Sequence, residues 1–140
     1  MSPIEYRPIV LSDYETVRQF LAGLGWDRRV GDPARFAMMM ARADRTVLAL
    51  DDGRVVGCVR ALCDGVSNGY ISMLAVAADR RGQGIGRELL RRLMAPQAPG
   101  DTEDITWVLR AGHDSQAFWE KMGFARSEAA MERLRRGGDR

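Results

Sequence analysis

The stretch GYISMLAVAADRRGQGIGRELLRRLM, residues 69–94, decides the fold of this chain. Its apolar run, residues 71–78, is typical of a buried strand, and the segment after Gly84 repeats apolar residues at helical spacing. Between the two, Gly82, Gly84 and Gly86 alternate with larger residues. The sequence therefore predicts a strand, a glycine-rich turn and a helix in direct succession.

A glycine turn that leads into a helix can bind an anion. The first turn of a helix leaves about four amide N–H groups without intrahelical partners, and the helix dipole adds partial positive charge there. Glycine has no Cβ, so the backbone can approach a phosphate closely. Arg80, Arg81 and Arg87 flank the turn and can add charge-assisted bonds. We interpret the turn as a diphosphate site, with a plain strand-to-helix turn as the alternative.

Two common phosphate loops do not fit the turn. The loop of nucleotide hydrolases requires Gly-Lys followed by Ser or Thr, and this dipeptide is absent from the chain. The dinucleotide fingerprint G-x-G-x-x-G fits at Gly82 and Gly84, but Arg87 occupies its third glycine position. Both readings, and with them a nucleotide-binding regulator, are disfavoured.

Residues 81–86, RGQGIG, resemble the R/Q-x-x-G-x-G/A signature with which GNAT N-acetyltransferases bind the diphosphate of acetyl-CoA. Residues 114–124, DSQAFWEKMGF, resemble the second signature of that superfamily in loose form, and the two occur in the family's order. The resemblance implies a mixed α/β (α+β) fold in one domain, residues 1–140. It implies a mostly antiparallel mixed sheet of six to seven strands, splayed strands 4 and 5, and about four helices on its two faces.

Periodicity predicts the other strands of this sheet. Thr46 to Leu50 and Arg54 to Cys63 are β-rich runs joined by a tight turn. Ile105 to Arg110 follows the helix and is therefore expected to run parallel to the fourth strand. Phe124 to Leu134 is expected to hold one bent strand or two short ones.

The resemblance also implies where the cofactor, acetyl-CoA, binds. Pantetheine is expected in the gap between strands 4 and 5, paired with backbone groups of Leu74 and Val76 as an added strand would be. At Asp114 a helix cap is the alternative role. The full set of expected cofactor-binding residues is Leu74, Ala75, Val76, Arg81, Gly82, Gln83, Gly84, Ile85, Gly86, Arg87, Asp114, Ser115 and Trp119.

The catalytic candidates are Tyr70, His113 and Trp119. Trp119 stands where the family usually has a tyrosine as general acid, and an indole donates a hydrogen bond but no proton near neutral pH. It can stabilise the thiolate, leave the acid role to another group or water, or only pack. Tyr70, at the position of the glutamate base of some members, and His113 are candidate bases. Asp64 is a further candidate, although aspartate in a turn is usually structural.

The acceptor side is expected to involve Trp26, Arg28, Arg29 and Tyr70, because the first two helices usually cover it in this superfamily. The arginines favour an acceptor that bears a carboxylate or phosphate. The alternative is an exposed charged loop that serves solubility.

Composition excludes several function classes. A chain of 140 residues suits one domain. The net charge of +2, from 21 basic and 19 acidic residues, is too balanced to indicate nucleic-acid binding. No apolar run approaches the roughly 18 residues of a membrane span, and the N-terminus lacks a signal-peptide pattern. We therefore expect a cytoplasmic protein without membrane or nucleic-acid partners. Cys58, Cys63 and His113 form no metal-ligand pattern, so no metal is expected.

The predicted function is that of an N-acetyltransferase. It would move the acetyl group of acetyl-CoA to a primary amine of a small molecule or protein by direct attack in a ternary complex, with CoA as product. The alternative is a non-catalytic acyl-CoA-binding or sensing module. Family members are often dimers, which makes a homodimer a further expectation.

Overall fold

A computed structural model describes residues 3–136. The strands form one sheet in the order β1-β2-β3-β4-β5, antiparallel except for the parallel β4–β5 pair. This mixed α/β architecture confirms the predicted fold class. The elements, in chain order, are β1 (Glu5–Arg7), α1 (Tyr14–Leu21), α2 (Asp27–Val30), α3 (Pro33–Ala41), β2 (Arg45–Asp51), β3 (Arg54–Cys63), β4 (Asn68–Val76), α4 (Ile85–Met94), β5 (Thr106–Leu109) and α5 (Gln116–Lys121).

Helices α1, α2 and α3 cover one face of the sheet. The start of α3 is fixed by the Asp32 carboxylate, which accepts hydrogen bonds from the amides of Ala34 (3.0 Å) and Arg35 (3.2 Å). Pro33 takes the first helical position, where no amide bond is needed. The core that results consists of buried residues from these helices and from the facing strands, among them Val17, Leu21, Val30, Phe36, Met40, Leu48, Cys58 and Ala75.

Helix α4 packs on the opposite face of the sheet. Leu89 and Leu93 of α4 are fully buried, and burial of such a side chain is worth about 2 kcal/mol. A Cβ at Gly57 of β3 would lie 3.0 Å from Leu89 Cδ1 and 3.2 Å from Ile85 Cγ2, so the helix sits as close as a glycine permits. This packing holds the first turn of α4 near the carboxyl end of β4.

Strand β4 continues beyond the point where its pairing with β5 ends. The pairing runs from Asn68 and Thr106 to Ile71 and Leu109, whereas β4 continues to Val76. Within the described ranges, no strand pairs with β4 on this side beyond Ile71. The edge of β4 from Ser72 to Val76 is therefore unpaired on this side within the described residues, which agrees with the splay that the family resemblance implies.

The carboxyl-terminal segment differs from the sequence expectation. Phe124 to Leu134 forms no strand, and the sheet of the described residues has five strands rather than six or seven. The Ser127 hydroxyl instead accepts hydrogen bonds from the amides of Ala129 (3.1 Å) and Ala130 (2.9 Å) in a local turn. Met131 is 97% exposed, so this segment lacks the alternation of buried and exposed residues that would hold a strand on a sheet.

The chain divides into two compact units, with the boundary after Arg110. The first unit contains the whole sheet and α1 to α4, and the second contains α5. Across residues 3–136, no helix combines the length and the apolar character that a bilayer crossing would need.

Candidate functional site

The first turn of α4 presents unused amide groups. Gly84 begins the helix in the left-handed conformation, with φ of +86°, and no side chain caps it. The first helical bond is donated by the amide of Glu88 to the carbonyl of Gly84 (3.1 Å), so the amides of the three residues between them have no intrahelical partner. A Cβ at Gly82 or Gly84 would meet no protein atom within 4 Å. The space in front of these amides is therefore open to an anion.

The three arginines around the turn have different surroundings. Arg80 is paired with Asp51 at 2.5 Å, and its side chain is only 24% exposed. Arg81 is exposed, and its Nε donates a long hydrogen bond of 3.4 Å to the Val76 carbonyl. Arg87 is exposed and pairs with no carboxylate of residues 3–136. Arg81 and Arg87 can thus bind a phosphate. Arg80 instead links the turn to the β2–β3 hairpin through its ion pair with Asp51.

The free edge of β4 directs specific backbone groups outward. The Ala77 amide donates to the carbonyl of Val56, directly opposite on the β3 side, at 2.8 Å. In an antiparallel pair such hydrogen-bonded positions alternate with positions whose backbone groups point away. Val76, one residue earlier, therefore turns its N–H and C=O to the open edge, whereas Leu74 lies in an irregular stretch of β4 to which this alternation does not extend. The backbone of Ala75, which was also predicted to bind the cofactor, faces β3.

A bulge in β4 accompanies this open edge, and sequence reasoning missed it. From Cys58 to Arg60 β3 advances two residues, whereas the opposite part of β4, Ser72 to Ala75, advances three. Met73 within it has φ of +60°, which is uncommon for a residue with a side chain. The Cys58 thiol donates to the Met73 carbonyl at 3.7 Å, and burial raises the pKa of that thiol to about 12, which keeps it protonated.

The candidate bases near β4 have contrasting positions. Tyr70 is half-buried and lies opposite Leu62 of β3 and Val108 of β5, in the part of β4 that is paired on both sides. The Asp64 carboxylate binds the hydroxyl and amide of Ser67 (2.5 and 2.7 Å) and two further amides of its own turn. These bonds hold the pKa of Asp64 well below its usual range. Asp64 is therefore a turn-forming residue and a poor proton acceptor.

The second compact unit holds the remaining predicted residues, which we describe within that unit alone. His113, Asp114 and Ser115 form a single helical turn before α5, where the Ser115 hydroxyl donates to the Gly112 carbonyl (3.0 Å). Ser115 immediately precedes α5 and forms no side-chain capping bond. Trp119 is 8% exposed. Its ring meets Phe118 and Phe124 edge-to-face, with centroids 5.3 and 5.2 Å apart. These contacts favour the packing role of Trp119.

On the predicted acceptor side, the structure adds one residue that sequence reasoning missed. The guanidinium of Arg29 lies 5.0 Å from the ring centroid of Trp26, while Arg28 is exposed. Arg60 of β3 interacts electrostatically with both Tyr70 and Arg29. The only sequence signal was a charged residue within the apolar run RVVGCVRALC.

Comparisons with known proteins agree with this architecture. Residues 42–126 match the family model of the acetyltransferase (GNAT) domain. Comparison with curated protein sequences gives no match. A Deinococcus radiodurans structure assigned as an acetyltransferase is 28% identical, with a TM-score of 0.67 and 95% of this chain and 93% of that chain covered.

Two further solved structures share the fold. A GNAT-family acetyltransferase from Streptococcus pneumoniae is 23% identical, with a TM-score of 0.72 and coverage of 97% of this chain and 99% of that chain. A Clostridium acetobutylicum protein assigned as an acetyltransferase, solved with acetyl-CoA, is 18% identical, with a TM-score of 0.67 and coverage of 94% and 96%.

Proposed function

Because the chain belongs to the GNAT acetyltransferase family, and is thus an acyltransferase, we propose that it transfers acetyl from acetyl-CoA to a primary amine of a small molecule or protein. The reaction is direct attack in a ternary complex. The observation that carries the proposal is the juxtaposition, in one compact unit, of an uncapped helix start and an unpaired strand edge. An anionic diphosphate fits the first feature, and the amides of pantetheine fit the second.

The residues around the helix start suit a diphosphate. The amides of Ile85, Gly86 and Arg87 supply aligned donors, and the helix dipole favours negative charge at this point. The exposed guanidinium groups of Arg81 and Arg87 add charge-assisted bonds. The open space in front of Gly82 and Gly84 lets the phosphates reach the backbone.

The strand edge suits the rest of the cofactor. Val76 directs its N–H and C=O groups outward, and we assign the same role to Leu74, so that a chain of amides can pair with this edge as an added strand does. Acetyl-CoA supplies an acyl group activated as a thioester. The donor that we assign to the carbonyl oxygen of that thioester, where negative charge grows during attack, is an N–H of this edge that pantetheine leaves unused, that of Val76 or of its neighbour. Holding both reactants in place can contribute on the order of 7–11 kcal/mol at best.

Proton transfer is shared between the remaining candidates and water. The acceptor must attack as a neutral amine, and Tyr70 and His113 are the proposed routes for its proton. Trp119 packs between two phenylalanine rings, which supports departure of CoA without a proton from this side chain. Rates that persist after substitution of Tyr70 and His113 one at a time would assign the proton to water.

We also propose that the two compact units act as one catalytic domain. The matched family segment, residues 42–126, extends across the boundary at Arg110, which supports this reading. A homodimer and a cytoplasmic location remain predictions. Sedimentation equilibrium checks the first, and fractionation of cells that produce the protein checks the second.

Two assays test the proposed function. Titration calorimetry with acetyl-CoA and with CoA should give saturable binding of one molecule per chain. Thiol release measured with a panel of primary amines should then identify at least one acceptor that accelerates release over the amine-free rate. Binding without acceleration by any amine would favour the non-catalytic acyl-CoA module, and absence of binding would contradict both readings.

A further inference from the structure

Arg60 is a half-buried cation, and one of its donor atoms lies buried without a partner. It lies on β3 at the same face as Cys58 and Leu62, the face that α1, α2 and α3 cover. Its Nε is buried and has no hydrogen-bond partner within residues 3–136. Buried donors are nearly always satisfied in proteins, so an unsatisfied one calls for a physical explanation.

The electrostatic surroundings of Arg60 disfavour its charged form further. Burial lowers the pKa of the guanidinium, the phenol of Tyr70 opposes this, and the cation of Arg29 lowers the pKa further. No carboxylate of the described residues is among the groups that act on Arg60. The cations of Arg60 and Arg29 therefore repel each other, and no carboxylate of residues 3–136 offsets this repulsion.

Arg45 shows how this protein treats an arginine that serves only the fold. Arg45 is 5% exposed, and its guanidinium donates to the carbonyls of Leu93 (2.9 Å) and Ala95 (3.0 Å) and to the Asp101 carboxylate (3.0 Å). Arg60 has no comparable set of acceptors. The contrast indicates that the acceptors of Arg60 come from outside the chain.

We propose that Arg60 and Arg29 bind an anionic group, a carboxylate or phosphate, of the acceptor amine. The inference rests on the proposed function, because it assigns the substrate class of the same enzyme. A guanidinium pair matches the two oxygens of either anion, and an anion there would remove the repulsion between the two cations. Tyr70 lies opposite Leu62, next to Arg60 on the same face, so the acceptor would be held beside the candidate base.

An equilibrium measurement tests the anion site without turnover. Thermal unfolding is followed for the parent protein, Arg60→Met and Arg35→Met, with excess CoA to fill the diphosphate site. Sodium succinate and sodium phosphate are each compared with sodium chloride at equal ionic strength. Arg35, an exposed arginine of α3, is the matched control for loss of one charge.

The expected result is a rise in the unfolding temperature of about 2 °C or more with succinate or phosphate for the parent and Arg35→Met. Arg60→Met should show no such rise. Without anion, it should also be at least as stable as the parent, because a half-buried cation with an unsatisfied Nε has been replaced by an apolar chain. An equal anion response in Arg60→Met, or its marked destabilisation, would overturn the proposal.

Kinetics distinguish the two anions and separate this proposal from the proposed function. Matched acceptors are β-alanine with β-alaninamide, and phosphoethanolamine with ethanolamine. The parent should prefer the anionic member of at least one pair by roughly tenfold in kcat/KM, mostly through KM. Arg60→Met should lose this preference and Arg35→Met keep it.

The proposed anion site would be contradicted if Arg60→Met kept the preference for anionic acceptors, or if the parent preferred the neutral acceptors. If no acceptor of either pair is acetylated while succinate or phosphate stabilises only proteins that retain Arg60, the anion site stands. That outcome would count against the proposed acetyl transfer instead.

Discussion

The two ends of α4 are built in opposite ways. At its carboxyl end, the buried guanidinium of Arg45 donates to the carbonyls of Leu93 and Ala95 and pairs with Asp101 at 3.0 Å. At its amino end, Gly84 offers no side chain, and no other described side chain caps the helix. At the carboxyl end, the protein itself satisfies the carbonyl groups of the helix. At the amino end, the first amide groups are left available to a ligand.

The start of α3 shows that the open start of α4 is not a general property of this chain. Asp32 caps α3 with two hydrogen bonds to its first amides. A cap of that kind at α4 would stabilise the helix by about 1 kcal/mol. Its absence beside the free edge of β4 indicates that stability has been traded for binding at this point. The comparison predicts that changes at the carboxyl end alter stability and that changes at the amino end alter cofactor affinity.

The largest expected effect is that of Arg45→Met. The substitution leaves two carbonyls and the carboxylate of Asp101 without their shared donor, so the free energy of unfolding should fall by about 3–5 kcal/mol. Urea denaturation measures it. Arg91→Met, at an exposed arginine paired with Glu88 in the same helix, is the control and should cost less than about 1 kcal/mol. Equal losses in the two variants would show that Arg45 does not hold this end.

Gly84→Ala should separate binding from stability. The alanine Cβ would enter the space in front of the first amides, and we expect the Kd for CoA to rise about 10–100-fold, or ~1.4–2.8 kcal/mol. Gly100→Ala is the matched control, because Gly100 has φ of +91° and equally open surroundings but follows the other end of α4. Both variants should lose similar stability from the strained φ. A similar change in Kd for both would contradict the assignment.

Substitutions of Arg80 and Arg81 should have smaller effects, one on stability and the other on CoA affinity. Arg81→Met should weaken CoA binding by roughly 1 kcal/mol, about fivefold, and reduce the dependence of Kd on salt, because an exposed cation no longer meets a phosphate. Arg80→Met should instead lower stability, since Arg80 pairs with Asp51. Calorimetry at two salt concentrations and urea denaturation check the two results. If Arg80→Met weakened CoA binding without lowering stability, Arg80 would be a phosphate ligand, and its assignment as a stabilising residue would be wrong.

The smallest expected effect is on the loss of folding stability at low pH. Bonds from the amides of Gln97 and Ala98, with help from Arg45, lower the pKa of Asp101 below its ordinary value of 3.8. The unfolded chain therefore takes up a proton here more readily, and the stability that Asp101 contributes is complete above pH 3.8 and lost as pH falls through the folded-state pKa. Asp101→Asn should flatten this part of the curve of urea midpoint against pH. An unchanged slope would exclude Asp101 as a source of acid sensitivity.

Local pattern was enough to predict the centre of the site. The apolar run before Ala78 and the helical spacing after Gly84 each involve neighbours in sequence, so periodicity and glycine chemistry indicate a strand, a turn and a helix. The same holds for the cap at Asp32. The segment from Phe124 to Leu134 shows the limit, because its few apolar residues suggested strands that only long-range pairing could have established.

The features that the sequence did not predict depend on contacts across the sheet. The bulge at Met73 arises where β3 and β4 advance by different numbers of residues, and no local motif marks it. The different surroundings of Arg80 and Arg81 depend on the β2–β3 hairpin, far away in sequence. From the sequence alone, Arg60 looks like an exposed residue of a strand. Only the three-dimensional structure shows that helices cover its face of β3 and that another cation acts on it.

Backbone amide chemical shifts in the uniformly ¹⁵N-labelled protein test the central claim most directly. CoA should shift the amides of the helix start, Gly84 to Arg87, together with those of Leu74 and Val76. Pantetheine, which lacks the diphosphate, should shift the amides of Leu74 and Val76 and leave the helix start unchanged. Amides at the helix start that do not respond to CoA, or that respond equally to pantetheine, would contradict the claim that this helix end binds the diphosphate.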